Sequence, residues 1–282
     1  MGLPPRTAVL RALLRKGGSG AFFPTPEGGG LRRRRRTVST RSPGHWLTLD
    51  PDPLWIPDRT GSIARAAEEL IPHGERSGYA PSVTAAGLCP RRVGYRRLGI
   101  PATDPPEPRV RLLRIVGEAV ERVLIDRLVA AGIAHSPGAS VRIPYPYGYI
   151  HGVVDALVGD DAVLDVKTVA SWLYGELCAS GKPSPDNALQ VNLYIHGLRI
   201  AGQERRRYGI LLYLDRESGR LLDLWFEYSP ALAENAVRTL TLIEERARFG
   251  LLLPRPEGFV PENPPCTWCP YRTLCWEGGQ QS

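Results

Sequence analysis

Apolar positions recur with a helical period through RVRLLRIVGEAVERVLIDRLVAAGI, which starts at residue 109. Val110, Leu113, Val116, Val120, Leu124 and Leu128 fall three or four apart and predict a long amphipathic helix with these side chains as its buried stripe. Gly117 and Glu121, four apart, lie together along one edge of that stripe. The period then shortens to two. Strands are predicted at about 140–145, 149–158 and 162–169, the last two joined as a hairpin by Gly159-Asp160-Asp161. After a Pro/Gly/Ser-rich loop around 180–186, DNALQVNLYIHGLRIAG predicts a helix ending at Gly202. Strands at about 207–214 and 221–228, linked by Asp215-Arg216-Glu217-Ser218-Gly219, precede a helix over 230–250. Upstream, SIARAAEELI (62–71) predicts a short helix and SVTAAGLCPRRVGYRRLGI, from 82, another. This order makes an α/β (α+β) domain with a central mixed sheet flanked by helices.

The chain has 282 residues, enough for one sizeable core with or without a small appendage. No run of about 18 apolar residues occurs, so no membrane span is expected. The early apolar patch AVLRALL is interrupted by Arg11 and too short for a signal peptide, which implies a cytoplasmic protein. The net charge of +7 is unevenly spread: residues 1–44 carry ten Lys/Arg against Glu27 alone, so the rest is slightly acidic. With GGSG, PTPEGGG and RRRRR and no apolar period, 1–44 read as a disordered basic arm, 45–79 as an N-terminal extension and 80–282 as the main domain. Translation starting later is the alternative; Met1 is the only methionine, so it would need a non-AUG codon, such as one at Val38. Nucleic-acid contact outside the arm would rest on Arg91/Arg92, Arg96/Arg97 and Arg205 to Arg207, for which a solvated face is the alternative reading.

Of 36 basic residues only Lys16, Lys167 and Lys182 are lysine. A lysine within an apolar strand of so arginine-rich a chain marks a place where a compact ammonium is wanted, against the alternative of an ordinary edge-strand lysine. It stands in HGVVDALVGDDAVLDVKTVA, residues 151–170. If its two strands pair, Asp155, Asp165 and Lys167 lie at one end of the sheet, with Asp165 and Lys167 on one face. Two close carboxylates repel unless a divalent cation lies between them, and few protein oxygens completed by water and phosphate suit Mg²⁺ or Mn²⁺. Lys167 would then orient or help deprotonate a water and offset charge on a phosphoryl group. Each piece alone has a structural alternative: a solvent-facing acid and lysine, a rim carboxylate at Glu121, a packed Gln190/Tyr194 pair.

The cysteines supply a second pattern. CTWCPYRTLC places Cys266, Cys269 and Cys275 in a C-x2-C-x5-C spacing that gathers thiolates around one metal centre, with Cys89 the best fourth candidate. Zinc and an iron-sulfur cluster both accept four thiolates. Cys178 reads as a small buried apolar residue. The five histidines show no ligand spacing; His151 is worth watching because it adjoins Gly152.

Gly152-x-x-Asp155 followed by Asp165-x-Lys167 resembles the PD-(D/E)xK nuclease core. Glu121 stands where the RecB-like branch commonly has a histidine or an acid after a glycine, and Gln190-x-x-x-Tyr194 resembles that branch's QxxxY element. One cysteine before the core and three after it resemble its iron-sulfur, CRISPR-associated members, over about residues 80–276. The resemblance implies a restriction-endonuclease-like fold whose ends are joined by a 4Fe-4S cluster on Cys89, Cys266, Cys269 and Cys275, zinc being the runner-up. It implies Mg²⁺ or Mn²⁺ on Glu121, Asp155, Asp165 and the Val166 carbonyl, with Lys167, Gln190 and Tyr194 completing the site. The implied activity is exonucleolytic hydrolysis of single-stranded or end-frayed DNA in recombination, replication or CRISPR-type processing, in a bacterium or phage-infected host. A recombinase, annealing protein or integrase-type partner follows from the same likeness. A catalytically inactive binding module and a structure-selective endonuclease are the competing readings.

Overall fold

A computed structural model of the chain describes residues 79–278. The basic arm, the 62–71 helix, His45 and His73 lie outside the described residues. Two short helices, α1 (Val83–Ala86) and α2 (Pro90–Arg97), lead to the long helix α3 (Pro108–Ala130). Strands β1 (Ala134–His135), β2 (Ala139–Tyr145), β3 (Gly148–Val154), β4 (Ala156–Val158) and β5 (Ala162–Val169) follow. Next come α4 (Ser171–Ser180), α5 (Pro185–Ile200), β6 (Tyr208–Asp215), β7 (Leu221–Glu227) and α6 (Pro230–Arg248). A single 3₁₀ turn, Cys266–Trp268, and α7 (Arg272–Glu277) close the described chain. Among these residues no helix is long and apolar enough to cross a membrane.

The main sheet has the order β1-β4-β5-β6-β7, with β5 and β6 parallel and the remaining neighbours antiparallel. The parallel pair is made possible by the α4–α5 crossover between them. Strands β2 and β3 form a separate hairpin. One face of the main sheet packs on α3, where Ile125 meets Ala156, Val158, Leu164 and Val166. The other carries the larger core, in which Val163, Leu211 and Tyr213 join α5 residues Val191, Leu193 and Ile195, the hairpin's Val141, Ile143 and Ile150, and Leu240 of α6. The predicted mixed sheet flanked by helices is thus what forms.

Two expectations need correction. The strand expected over 149–158 is two strands, β3 and β4, which belong to different sheets and are divided by a bend at Asp155. The expected buried stripe of α3 is also only half buried. From Val120 onward its apolar positions are partly covered, but Val110, Leu113 and Val116 are exposed, because the helix meets the sheet only from Gly117 onward.

Candidate active site

The site begins where β4 stops. β4 covers β5 only from Ala162 to Leu164, and beyond that point no strand among the described residues pairs with this edge of β5. The first edge donor past the ladder, the Val166 N–H, bonds instead to the Asp155 carboxylate at 2.7 Å. A backbone donor left unpaired here would carry a desolvation cost, so the bend that ends β3 and the edge of β5 are satisfied by one side chain.

Opposite it stands Asp165, with 0 % of its surface exposed. The Lys167 ammonium approaches its Oδ2 at 2.6 Å. That ammonium serves one oxygen only, and Asp165 Oδ1 has no hydrogen-bond donor among the described residues. A wholly buried carboxylate with one oxygen unpartnered is unusual, since buried acids are normally paired and bonded on every side.

Helix α3 supplies the third acid. At Gly117 the helix passes so close to β5 that a Cβ there would come within 2.8 Å of Thr168 Oγ1. One turn later Glu121 lies within hydrogen-bonding reach of Asp155 and feels the charges of Lys167 and Asp165. The i, i+4 pair of glycine and acid predicted on one edge of the helix thus has a packing basis: the glycine sets the approach and the acid meets the strand.

Helix α5 closes the other side. Its Gln190 Nε2 donates to Tyr194 Oη at 2.8 Å, and Tyr194 is buried beside Asp155, Asp165 and Lys167. Across the Tyr194 ring lies Gly152, where a Cβ would come within 2.7 Å of Tyr194 Cε1 and 2.8 Å of Val83 Cγ2. The structure therefore brings together Glu121, Asp155, Asp165, Lys167, Gln190 and Tyr194, and it gives Gly152 a reason. An open cleft of about 380 Å³ leads to Lys167 and Gln190, with Arg114 and Glu118 from α3 and Asp186 and Asn187 from α5 in its walls. These last four were not picked out from sequence. The available signals were the i, i+4 spacing of Arg114 and Glu118, which pair at 3.0 Å, and the two polar residues opening α5.

Burial sets the electrostatics. It pushes Asp165 up to about 7 and Asp155 up to about 6, the latter against the Val166 N–H, which favours the charged form. Glu121 is raised by the same cause. Burial disfavours the Lys167 charge, yet the adjoining Asp165 carboxylate outweighs it and holds the ammonium protonated. Tyr194 is pushed up to about 12 by burial and remains a neutral phenol. Three acids around one lysine make a centre that favours gaining positive charge.

Among the described residues no three His, Cys, Asp or Glu side chains already stand as a metal-holding group. The donor chemistry nevertheless fits a hard divalent cation: three carboxylates converge, and the innermost keeps its Oδ1 without a partner among the described residues. The C-terminal thiols form a second, softer donor set. Cys266 and Cys269 each feel the thiols of Cys89 and Cys275, and both are raised by burial. Cys89 caps α2, and the cysteine segment is fastened to it by a Tyr95–Tyr271 stack with ring centres 5.0 Å apart. Asp104 accepts both the Thr273 N–H and its hydroxyl, at 2.9 and 2.7 Å.

Cys178 is exposed, not buried as expected, because its position on α4 faces away from Leu177, the buried residue of that helix. One arginine of each cluster serves the fold. Arg91 is buried and bonds Tyr95 and Leu253, Arg97 makes a two-pronged pair with Glu244 at 2.6 Å, and Arg206 is buried against the Gly159 and Ala162 carbonyls. His135 and His196 are engaged in local hydrogen bonds, while His151 is exposed on β3.

Neither a protein-family model nor a curated protein sequence matches the chain. Among solved structures, the chain is similar to SSO0001 with a TM-score of 0.50 and 20% identity, over 76% of this chain and 96% of that one. It is also similar to an alkaline exonuclease, LHK-Exo, from Laribacter hongkongensis, with a TM-score of 0.42 and 17% identity over 59% of this chain and 87% of that one. The likeness to SSO0001 is one of fold.

Proposed function

We propose that the chain is a metal-dependent deoxyribonuclease of PD-(D/E)xK type that shortens single-stranded or end-frayed DNA by phosphodiester hydrolysis. The observation that carries this reading is Asp165, a fully buried carboxylate that faces Asp155, with its Oδ2 held 2.6 Å from a lysine at the head of a cleft and its Oδ1 without a donor among the described residues. Glu121, Asp155 and Asp165, with the Val166 carbonyl, would hold Mg²⁺ or Mn²⁺. Such an ion supplies an acidified water and offsets negative charge on a phosphoryl group.

The chain's own groups do the rest. Lys167 stays protonated, so it serves as a fixed cation and donor beside the scissile phosphate and orients the attacking water, rather than taking its proton. Gln190, tethered to Tyr194, presents its amide at the cleft wall where a DNA backbone would pass. Tyr194, buried and neutral, fixes Gln190 and packs on Gly152 without adding charge to a site already rich in carboxylates.

For the thiols of Cys89, Cys266, Cys269 and Cys275 we propose a 4Fe-4S cluster joining the two ends of the domain, with zinc as the alternative; both suit a four-thiolate donor set. Iron and sulfide analysis after anaerobic purification separates them: a brown protein with stoichiometric iron is expected, and a colourless zinc protein would overturn the cluster.

Linear and closed-circular DNA incubated with metal test the mode of attack. The exonuclease reading requires that linear strands shorten while closed circles persist, and nicking or linearisation of circles would replace it with an endonuclease.

A further inference from the structure

We propose that the outer face of the β2–β3 hairpin, built on Arg142, Tyr149 and His151, is a platform on which a single nucleic-acid strand lies as it enters the site at Asp155. The inference rests on the nuclease reading for its direction, though not for its binding test.

The hairpin has two unlike faces. Val141, Ile143, Ile150 and Val154 point inward and are buried, and the hairpin sits hard against α5, where a Cβ at Gly197 would overlap Val141. Tyr149, His151 and Val153 alternate with these residues and are exposed, Tyr149 by 46 % and Val153 by 57 %. Across the ladder Arg142 stands opposite His151 and Pro144 opposite Tyr149.

The chemistry of this face is aromatic and cationic. Residues 139–154 contain no aspartate or glutamate, in a chain with 29 acids. The Arg142 guanidinium lies over the Tyr149 ring at 4.1 Å. An arginine–aromatic stack exposed on a sheet is what a single strand requires: a flat surface for a base, with guanidinium N–H groups beside it for phosphate. A protein partner docking through apolar contact would find one exposed valine here. The absence of acids favours an anionic strand.

Direction follows from β3 itself. Tyr149, His151, Val153 and Asp155 have the same parity along the chain, so the exposed row of the hairpin runs straight to the bend that delivers Asp155 to the site. The row is roughly 20 Å long at about 3.3 Å per residue.

The test is fluorescence anisotropy of the full chain with a labelled oligothymidylate of about 20 nucleotides in EDTA, so that no strand is cut. Replacing Tyr149→Ala and Arg142→Ala together should weaken binding about tenfold or more. Tyr149→Phe, and Trp225→Ala on the distant strand β7, should stay within about twofold of the parent. Circular dichroism confirms that each variant folds. Unchanged binding by the folded double variant would overturn the platform, as would tighter binding of duplex than of single strand. If wild type never cleaves while the double variant loses binding, the nuclease reading falls and the platform stands; metal-dependent cleavage with unaltered binding has the opposite meaning.

Discussion

The Asp155 carboxylate accepts the Val166 N–H at 2.7 Å at the position where the β4–β5 ladder runs out. One side chain thereby ends a strand pairing and enters the acidic centre, so its two roles separate by substitution. Asp155→Asn retains an acceptor for Val166 and, near pH 4 where the Asp155 charge does not yet weigh on the fold, should leave thermal stability close to wild type, while abolishing metal-dependent cleavage. Asp155→Ala removes the acceptor as well and should cost a further amount of about 1–3 kcal/mol. Denaturant unfolding of the two variants compares them directly; equal stabilities would mean that the hydrogen bond carries no structural weight.

Without metal, the acids make stability fall as pH rises. The folded values of about 6 for Asp155 and about 7 for Asp165 lie above the ordinary aspartate value of 3.8, so between these values the folded state binds protons more tightly than the unfolded chain. Their destabilising contribution is absent below about pH 4, grows through that window and is complete above about pH 7. In EDTA the melting temperature should therefore drop from pH 5 to pH 8 by more in wild type than in Asp165→Asn. Mg²⁺ or Mn²⁺ at pH 8 should recover it. Parallel pH profiles for the two proteins would contradict this.

Gly152 is required by its neighbours rather than by its backbone angle. A methyl group there would meet the Tyr194 ring at 2.7 Å and Val83 at 2.8 Å, both in the packed core. Gly152→Ala should destabilise by about 1–3 kcal/mol, and it should lower activity by displacing Tyr194 from Gln190. A folded, fully stable Gly152→Ala variant would show that the hairpin can shift away from α5 without cost.

The cysteine segment is docked by Tyr271 and Thr273. Cys266→Ala and Cys269→Ala should lower the melting temperature and abolish bound iron. The surviving fraction of folded protein should keep measurable cleavage, because the acids stand on α3, β5 and the β3–β4 bend rather than on this segment. Loss of iron with no change in melting temperature would argue against a structural role.

Periodicity made the long helix, the paired strands and the α5 face that holds Gln190 and Tyr194 legible in the sequence, because each element keeps one period along its length. The break at Asp155 was not legible: alternation through 149–158 continues unbroken when a strand leaves one sheet for another, since side-chain parity does not change with the partner. The stripe on α3 misled for a related reason. Spacing reports that apolar side chains share a face but not whether anything covers it, and Val110, Leu113 and Val116 remain exposed. Arginine pairs looked alike in sequence, while Arg97, paired with Glu244, and Arg206, bonded to backbone carbonyls, serve the fold.

Asp165 and Lys167 as the heart of a metal-dependent phosphodiesterase are tested most directly by incubating linear single-stranded, linear duplex and closed-circular DNA with Mg²⁺, Mn²⁺ or EDTA, using wild type and Lys167→Ala. Wild type should shorten linear strands only with metal, and Lys167→Ala, folded to the same degree, should be slower by at least about 10²–10³-fold. Wild-type protein that binds DNA yet cuts none of these substrates with either metal, or a Lys167→Ala variant that cuts as fast as wild type, would contradict this role.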